Sequence, residues 1–281
     1  MLTKALTTAL LLGAVIAQEL PTVPEGTPRC VVEPSEQQRK DTELLVEIEA
    51  LRAKFGEEKR APIVVDTYFH VVSSASSRFI SEAQIQAQLE YLNEAYAPQE
   101  VSFNLLNTTF TVNSQWAAGN GELAMKRALR QGSYATLNAY FTDVARLNGQ
   151  SALGYCFFPE PGVTEGSNTF IRDGCVVVAQ TVPGGTAAPY NLGGTLVHEA
   201  GHWFDLYHTF QGGCNGGDMV SDTPAQASMS SGCPIGRDSC PNQSGVDPIH
   251  NFMDYSDDAC YEEFTAGQKE RIHSSFTNFR L

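Results

Sequence analysis

The stretch His198–His208, HEAGHWFDLYH, constrains this chain more than any other. On a helix of 3.6 residues per turn, His198 and His202 stand on one face, so both imidazoles can reach one cation. Glu199 follows His198 directly. It comes near that cation without binding it, which suits a general base acting on a water that the metal polarises. Continuous helix would carry His208 about 15 Å along the axis from His198. The helix therefore has to stop and the chain turn back. Three protein ligands, with a fourth position left to water or substrate, is the usual arrangement of a catalytic zinc ion.

HExxH alone also arises in ordinary amphipathic helices, where its histidines are solvated or hydrogen-bonded in a core. A further histidine at 208 and the downstream segment Asn251–Tyr255, NFMDY, set this chain apart. Together they resemble the metzincin zinc endopeptidases. The HWFDLYH wording and the later cysteines most resemble the pappalysin family, especially its secreted fungal extracellular metalloproteases, from roughly Ala61 onward.

That resemblance implies an α+β fold, a metzincin-type zincin catalytic domain over 61–281. A twisted mixed β-sheet with packed helices and the zinc helix would form an upper subdomain, 61–208. An irregular, disulfide-stapled lower subdomain, 209–281, would carry the Met-turn. It implies Zn²⁺ on His198, His202 and His208, Glu199 as base, and Met253 as a soft apolar floor without a metal bond. Tyr255 would place a phenol near the substrate carbonyl, or else be a buried tyrosine with a satisfied hydroxyl. The implied activity is hydrolysis of peptide bonds in extracellular proteins or peptides by metal-activated water.

One departure stands out: Asp205 occupies a position where the family pattern has Gly, which lets the backbone turn sharply. Asp tolerates left-handed backbone at a cost of about 1 kcal/mol, and could instead compete as a ligand. It is also the one feature favouring a rival class, a non-catalytic secreted effector or inhibitor-like binding protein that keeps zinc as a structural ion. A serine hydrolase lacks its GxSxG elbow here.

Residues 1–17, MLTKALTTALLLGAVIA, read as a secretory signal peptide, too short to span a membrane and followed by no stop-transfer run. The formal charge of -14 argues against a nucleic-acid partner. Residues 18–60 then read as a pro-segment, with a helix near 36–55 carrying Leu44, Leu45, Ile48 and Leu51, and a dibasic Lys59–Arg60 at its end. The alternative is an N-terminal helix retained on the domain. Cys30 is the odd one among seven cysteines. It could fill the open coordination position and silence a zymogen, since thiolates bind zinc well. PRC resembles the start of the matrix-metalloprotease switch motif, although VVEP after it does not. A free or intermolecularly paired thiol is the other reading.

Within the domain, 61–72, 101–112 and 136–141 read as strands, as does CVVVAQ from Cys175. Helices are expected at 81–97, 122–131 and 265–276, with the zinc helix starting near Gly194 or Thr195. This order implies helices packed on one side of the sheet. His70 is an ordinary strand residue on this reading. Cys156 and Cys175 are close enough in sequence to staple a loop. Cys214, Cys233, Cys240 and Cys260 allow three connectivities, of which the family resemblance selects Cys214–Cys240 and Cys233–Cys260. Asp218, Asp222, Asp247, Asp257 and Asp258 crowd the same loops with few basic partners; such loops can hold Ca²⁺, though solvated acid loops are commoner. Asn107 and Asn242 begin glycosylation acceptors.

Overall fold

The computed structural model describes residues 23–24, 26–56, 60–215 and 217–281, so the expected signal peptide and Lys59 lie outside the described residues. In chain order the elements are α1 (Glu36–Phe55), β1 (Ile63–Ser73), α2 (Glu82–Tyr96), β2 (Val101–Val112), α3 (Ser114–Ala117) and α4 (Glu122–Leu129). Then come β3 (Leu137–Thr142), β4 (Ala145–Leu147), β5 (Gln150–Ala152), β6 (Gly154–Cys156), α5 (Asn168–Arg172), β7 (Cys175–Val178), α6 (Gly194–Trp203) and α7 (Ala266–Ser275). Three helices begin with the same local device. Ser35 with Gln38, Ser81 with Gln84 and Thr265 with Gln268 each form a reciprocal capping box that satisfies the first free amides of α1, α2 and α7.

The sheet has the order β2-β1-β3-β7-β6. All neighbours are parallel except β6, which runs antiparallel to β7. Residues of β3 and β7 are buried without a break, so both faces of the sheet need cover. On one face Val65, Phe69, Val71, Ala139, Phe141 and Val177 meet α2 and α6. The expectation of helices on one side is too simple here. Val72, Tyr140, Val176 and Val178 face the other way and are covered by Met125 of α4 and by Ala145 and Leu147 of the β4–β5 hairpin. The short strands β4, β5 and β6 carry too few residues for period-two alternation to register in the sequence.

Cys156 of β6 faces Cys175 of β7 in register, and the two form a disulfide across neighbouring strands. Beyond α6 the chain runs through turns to α7, and disulfides Cys214–Cys240 and Cys233–Cys260 tie those turns together. α1 packs against α7. Its expected leucine stripe is only partly used: Leu45 is buried, but Leu44 and Leu51 stay 58% and 54% exposed while Thr42 goes inside. The reason lies in the surface it meets, which offers polar groups described below.

His70 is fully buried on β1, between Thr109 Oγ1 at 2.8 Å and Asn138 Oδ1 at 3.0 Å, with Tyr140 stacked on its ring. Burial lowers its pKa from 6.5 to about 4. The unfolded chain therefore binds a proton in the window from pH 6.5 to 4 that the folded chain refuses, and stability is lost as pH falls through it. The full effect is about 3 kcal/mol. Replacing His70 with Gln should flatten the pH dependence of Tm across this window; an unchanged slope in thermal denaturation would count against the assignment.

Candidate active site

Helix α6 is buried along its whole length, and its end builds the site. Asp205 adopts φ +70°, its amide donates to His202 O at 3.0 Å, and the Leu206 amide donates to Gly201 O at 2.9 Å. These two bonds close a helix through a left-handed residue, the position glycine usually fills. The chain reverses there and brings His208 back. Outside the turn, Arg280 Nε caps the Trp203 carbonyl at 2.9 Å while its guanidinium pairs with the buried Asp173.

Each of the first two imidazoles is fixed from behind. His198 Nδ1 lies 2.7 Å from the Phe252 carbonyl and His202 Nδ1 2.8 Å from that of Leu206. A carbonyl can only accept, so both Nδ1 atoms donate and both Nε2 atoms present lone pairs. His202 Nε2 and His208 Nε2 stand 3.1 Å apart, while His198 Nε2 is buried without a partner among the described residues. Ligand atoms of Cys30, His198, His202 and His208 all lie within 4.8 Å of one another. Four ligands about 2.0–2.3 Å from a tetrahedral zinc would sit roughly 3.3–3.8 Å apart, so the set fits that ion. Burial holds the three histidines below the ordinary imidazole range, helped at His198 and His208 by repulsion from neighbouring imidazoles, and so in the neutral form that binds metal.

Met253 lies beneath the helix. A Cβ added at Gly201 would come within 2.3 Å of its Sδ, so only glycine lets the two approach. The same holds at Gly154 of β6, where a Cβ would lie 2.7 Å from Glu199 Oε1. Glu199 is fully buried, and burial pushes its carboxyl well above the usual range. Its Oε2 accepts from Cys30 Sγ at 3.5 Å while Oε1 has no partner among the described residues. Tyr255 OH donates to Cys30 O at 2.8 Å and lies 3.2 Å from His208 Nε2. Phe158 packs edge-on against His202.

The segment around Cys30 threads the cleft. Leu153 N and Gly154 N donate to Pro28 O and Arg29 O at 2.9 and 3.0 Å, extending the sheet beside β6. Arg29 fills a buried pocket: its guanidinium reaches Asp258 Oδ1 and Ser256 O at 2.8 Å each and lies over the rings of Tyr190 and Tyr261. Asp258 also accepts from the amides of Leu192 and Gly194 at the start of α6. Sequence reasoning missed Arg29 and read Asp258 only as a loop acid. The signal was the placement of Arg29 directly before the cleft cysteine.

Asp205 turns its carboxylate away from the histidines, onto Thr42 Oγ1 of α1 at 2.9 Å. Burial raises its pKa to about 7, against the opposing pull of Arg271 and Thr42. The other loop aspartates are better partnered than their composition suggests. Asp222 takes Thr265 Oγ1 and the Gly267 amide, Asp247 pairs with Arg237, and Asp258 with Arg29. Asp218 Oδ2 has no hydrogen-bond partner among the described residues. Asn107 and Asn242 are both exposed, the first on β2 rather than in a turn.

The sequence profile of the M43 peptidases, described as Pregnancy-associated plasma protein-A, matches residues 132–277. An "Extracellular metalloprotease" of Verticillium alfalfae is 58% identical over 225 residues, covering 79% of this chain and 78% of its own. Another, from Pyricularia oryzae, is 54% identical over 254 residues, 88% of each chain. Among solved structures, Tannerella forsythia mature mirolysin in complex with a cleaved peptide is similar at TM-score 0.63 and 29% identity, covering 78% of this chain and 93% of its own. A Tannerella forsythia promirolysin mutant is similar at TM-score 0.66 and 27% identity, covering 89% and 94%.

Proposed function

Because the chain belongs to the M43 peptidase family and is a secreted metalloendopeptidase, we propose that His198, His202 and His208 hold its metal, that the metal is zinc, and that Glu199 is the base. The observation that carries this is the convergence of three buried nitrogen ligands, two with tautomers set by backbone carbonyls, beside a carboxyl with one free oxygen. Zinc, when bound, supplies a Lewis acid that polarises a carbonyl and a water. Glu199 Oε1 takes the proton from the attacking water and returns it to the departing amine. Tyr255 OH, 3.2 Å from His208 Nε2 and released once the Cys30 carbonyl leaves, would donate to the oxygen that gains charge. The rival non-catalytic reading loses its one support, since the Asp205 carboxylate serves α1 and leaves the histidines alone. Calcium has no comparable support, and we assign none.

We read residues 1–17 as a signal peptide, 18–60 as a pro-segment cut after Arg60, and 61–281 as the catalytic domain. Supporting this, Pro28–Cys30 lies where a substrate strand would pair with β6, and Cys30 sits among the histidines. The promirolysin mutant also matches a larger share of this chain than mature mirolysin does, 89% against 78%. Cys30 then acts as a fourth ligand that blocks the cleft. Burial and Glu199 push its thiol up, and a bound cation would reverse that by taking the thiolate. The Arg29 pocket is the subsite next to the reacting centre, shaped for a basic side chain by Asp258 and two tyrosine faces. Peptide or protein substrates with Arg beside the scissile bond follow. Asn107 and Asn242 are read as glycan acceptors.

Glu199→Gln should retain zinc by elemental analysis yet lose at least about a thousandfold in kcat; a Gln variant that hydrolyses casein at the native rate rejects the base. In the full chain, Cys30→Ala should raise activity before any cut, and a variant as silent as the parent rejects the blocking role. In the processed enzyme, Asp258→Asn should reduce kcat/KM on arginyl peptides by roughly tenfold or more while sparing peptides with neutral side chains there. Equal losses on both would reject the subsite.

A further inference from the structure

Thr42 is the only hydroxyl-bearing residue on the inward face of α1, and it is fully buried. Its Oγ1 lies 2.9 Å from Asp205 Oδ2 and 2.8 Å from Tyr207 OH, with Gln38 O of its own helix also at 2.9 Å. A hydroxyl carries one proton, and a carboxylate is the stronger acceptor, so the bonds run from Tyr207 OH to Thr42 Oγ1 to Asp205 Oδ2. Two turns along the same face, Glu49 grips Arg271 with both oxygens, at 2.9 Å from Nε and 3.2 Å from Nη2, and also takes the Ser274 hydroxyl. Between them only Leu45 is a fully buried apolar side chain, while Leu44, Leu51 and Phe55 stay exposed. Polar groups therefore decide how α1 seats. Asp205 is at the same time the residue whose left-handed backbone glycine would adopt more easily.

We propose that Asp205 and Tyr207, with Arg271, form a docking surface for α1 that reads a hydroxyl and a carboxylate two turns apart, and that Asp stands at 205 to hold the segment on the domain. This rests on the reading of residues 18–60 as a removable pro-segment. The turn needs only a left-handed residue, which glycine supplies, whereas the bond to Thr42 needs an acceptor. A carboxylate at this position thus couples the bend that places His208 to occupancy of the surface by α1.

A double-mutant cycle on the full chain tests the contact. Thr42→Val, Asp205→Gly, the double variant and Asp205→Asn are followed by onset of activity on a fluorogenic peptide, alongside a mass-spectrometric time course of the cut after Arg60. Thr42→Val and Asp205→Gly should each shorten the lag roughly tenfold, with the double variant no faster than either, as for two partners of one bond. Asp205→Asn keeps an oxygen acceptor and should fall between them and the parent, which guards against a general effect of removing a side chain. If the two single effects multiply, or if Thr42→Val leaves the lag unchanged while the segment is still released, the docking surface is wrong and the pro-segment reading stands. Parent enzyme that reaches full activity with residues 36–55 still attached overturns the pro-segment reading itself.

Discussion

Everything in this molecule that bears on chemistry depends on ending α6 one residue after His202 and folding the chain back within a single turn. A longer helix would carry the third imidazole out of reach; a looser loop would leave it unaimed. The left-handed residue at 205 closes the helix with both of its terminal bonds satisfied. The carbonyl of Leu206, delivered by that same turn, then orients His202. One backbone reversal therefore does two things: it returns His208 and sets the proton position on His202.

The surroundings make that geometry rigid from three sides. Met253 touches the helix at a glycine, the Phe252 carbonyl before it orients His198, and β6 crosses Glu199 at a second glycine. Arg280 and Asp173 clamp the far side of the bend. Buried charges of this kind are costly when one partner is removed, which favours a single arrangement over several similar ones. The sheet contributes position more than chemistry. Its parallel strands carry apolar residues on both faces, and α6 lies across one of them.

Much of this is legible in the residues themselves. HEAGHWFDLYH announces a bent helix because its spacings cannot be met by a straight one, and the strands β1, β2 and β7 declare themselves by β-branched runs. The short β4, β5 and β6 did not, since three residues carry almost no pattern. Nor did the pocket around Arg29, which joins groups more than two hundred residues apart in the chain. α1 forms at its expected bounds but buries only part of its leucine stripe, because hydrophobic spacing assumes an apolar partner and Asp205, Tyr207 and Arg271 offer a polar one. Asp205 reads in the sequence as a strained turn or a competing ligand; its carboxylate meets Thr42 instead.

On the proposed pro-segment reading, the small polar contact of α1 bears on how a blocked cleft would open. While the connection through residues 56–60 is intact, helix and cleft strand meet their seats at an effective local concentration far above anything free in solution, and a few polar bonds suffice. On the proposed reading of residues 18–60 as a removable pro-segment, a single nick there would leave those bonds unchanged but turn a tethered neighbour into an independent molecule, whose departure into the dilute space outside a cell entropy favours.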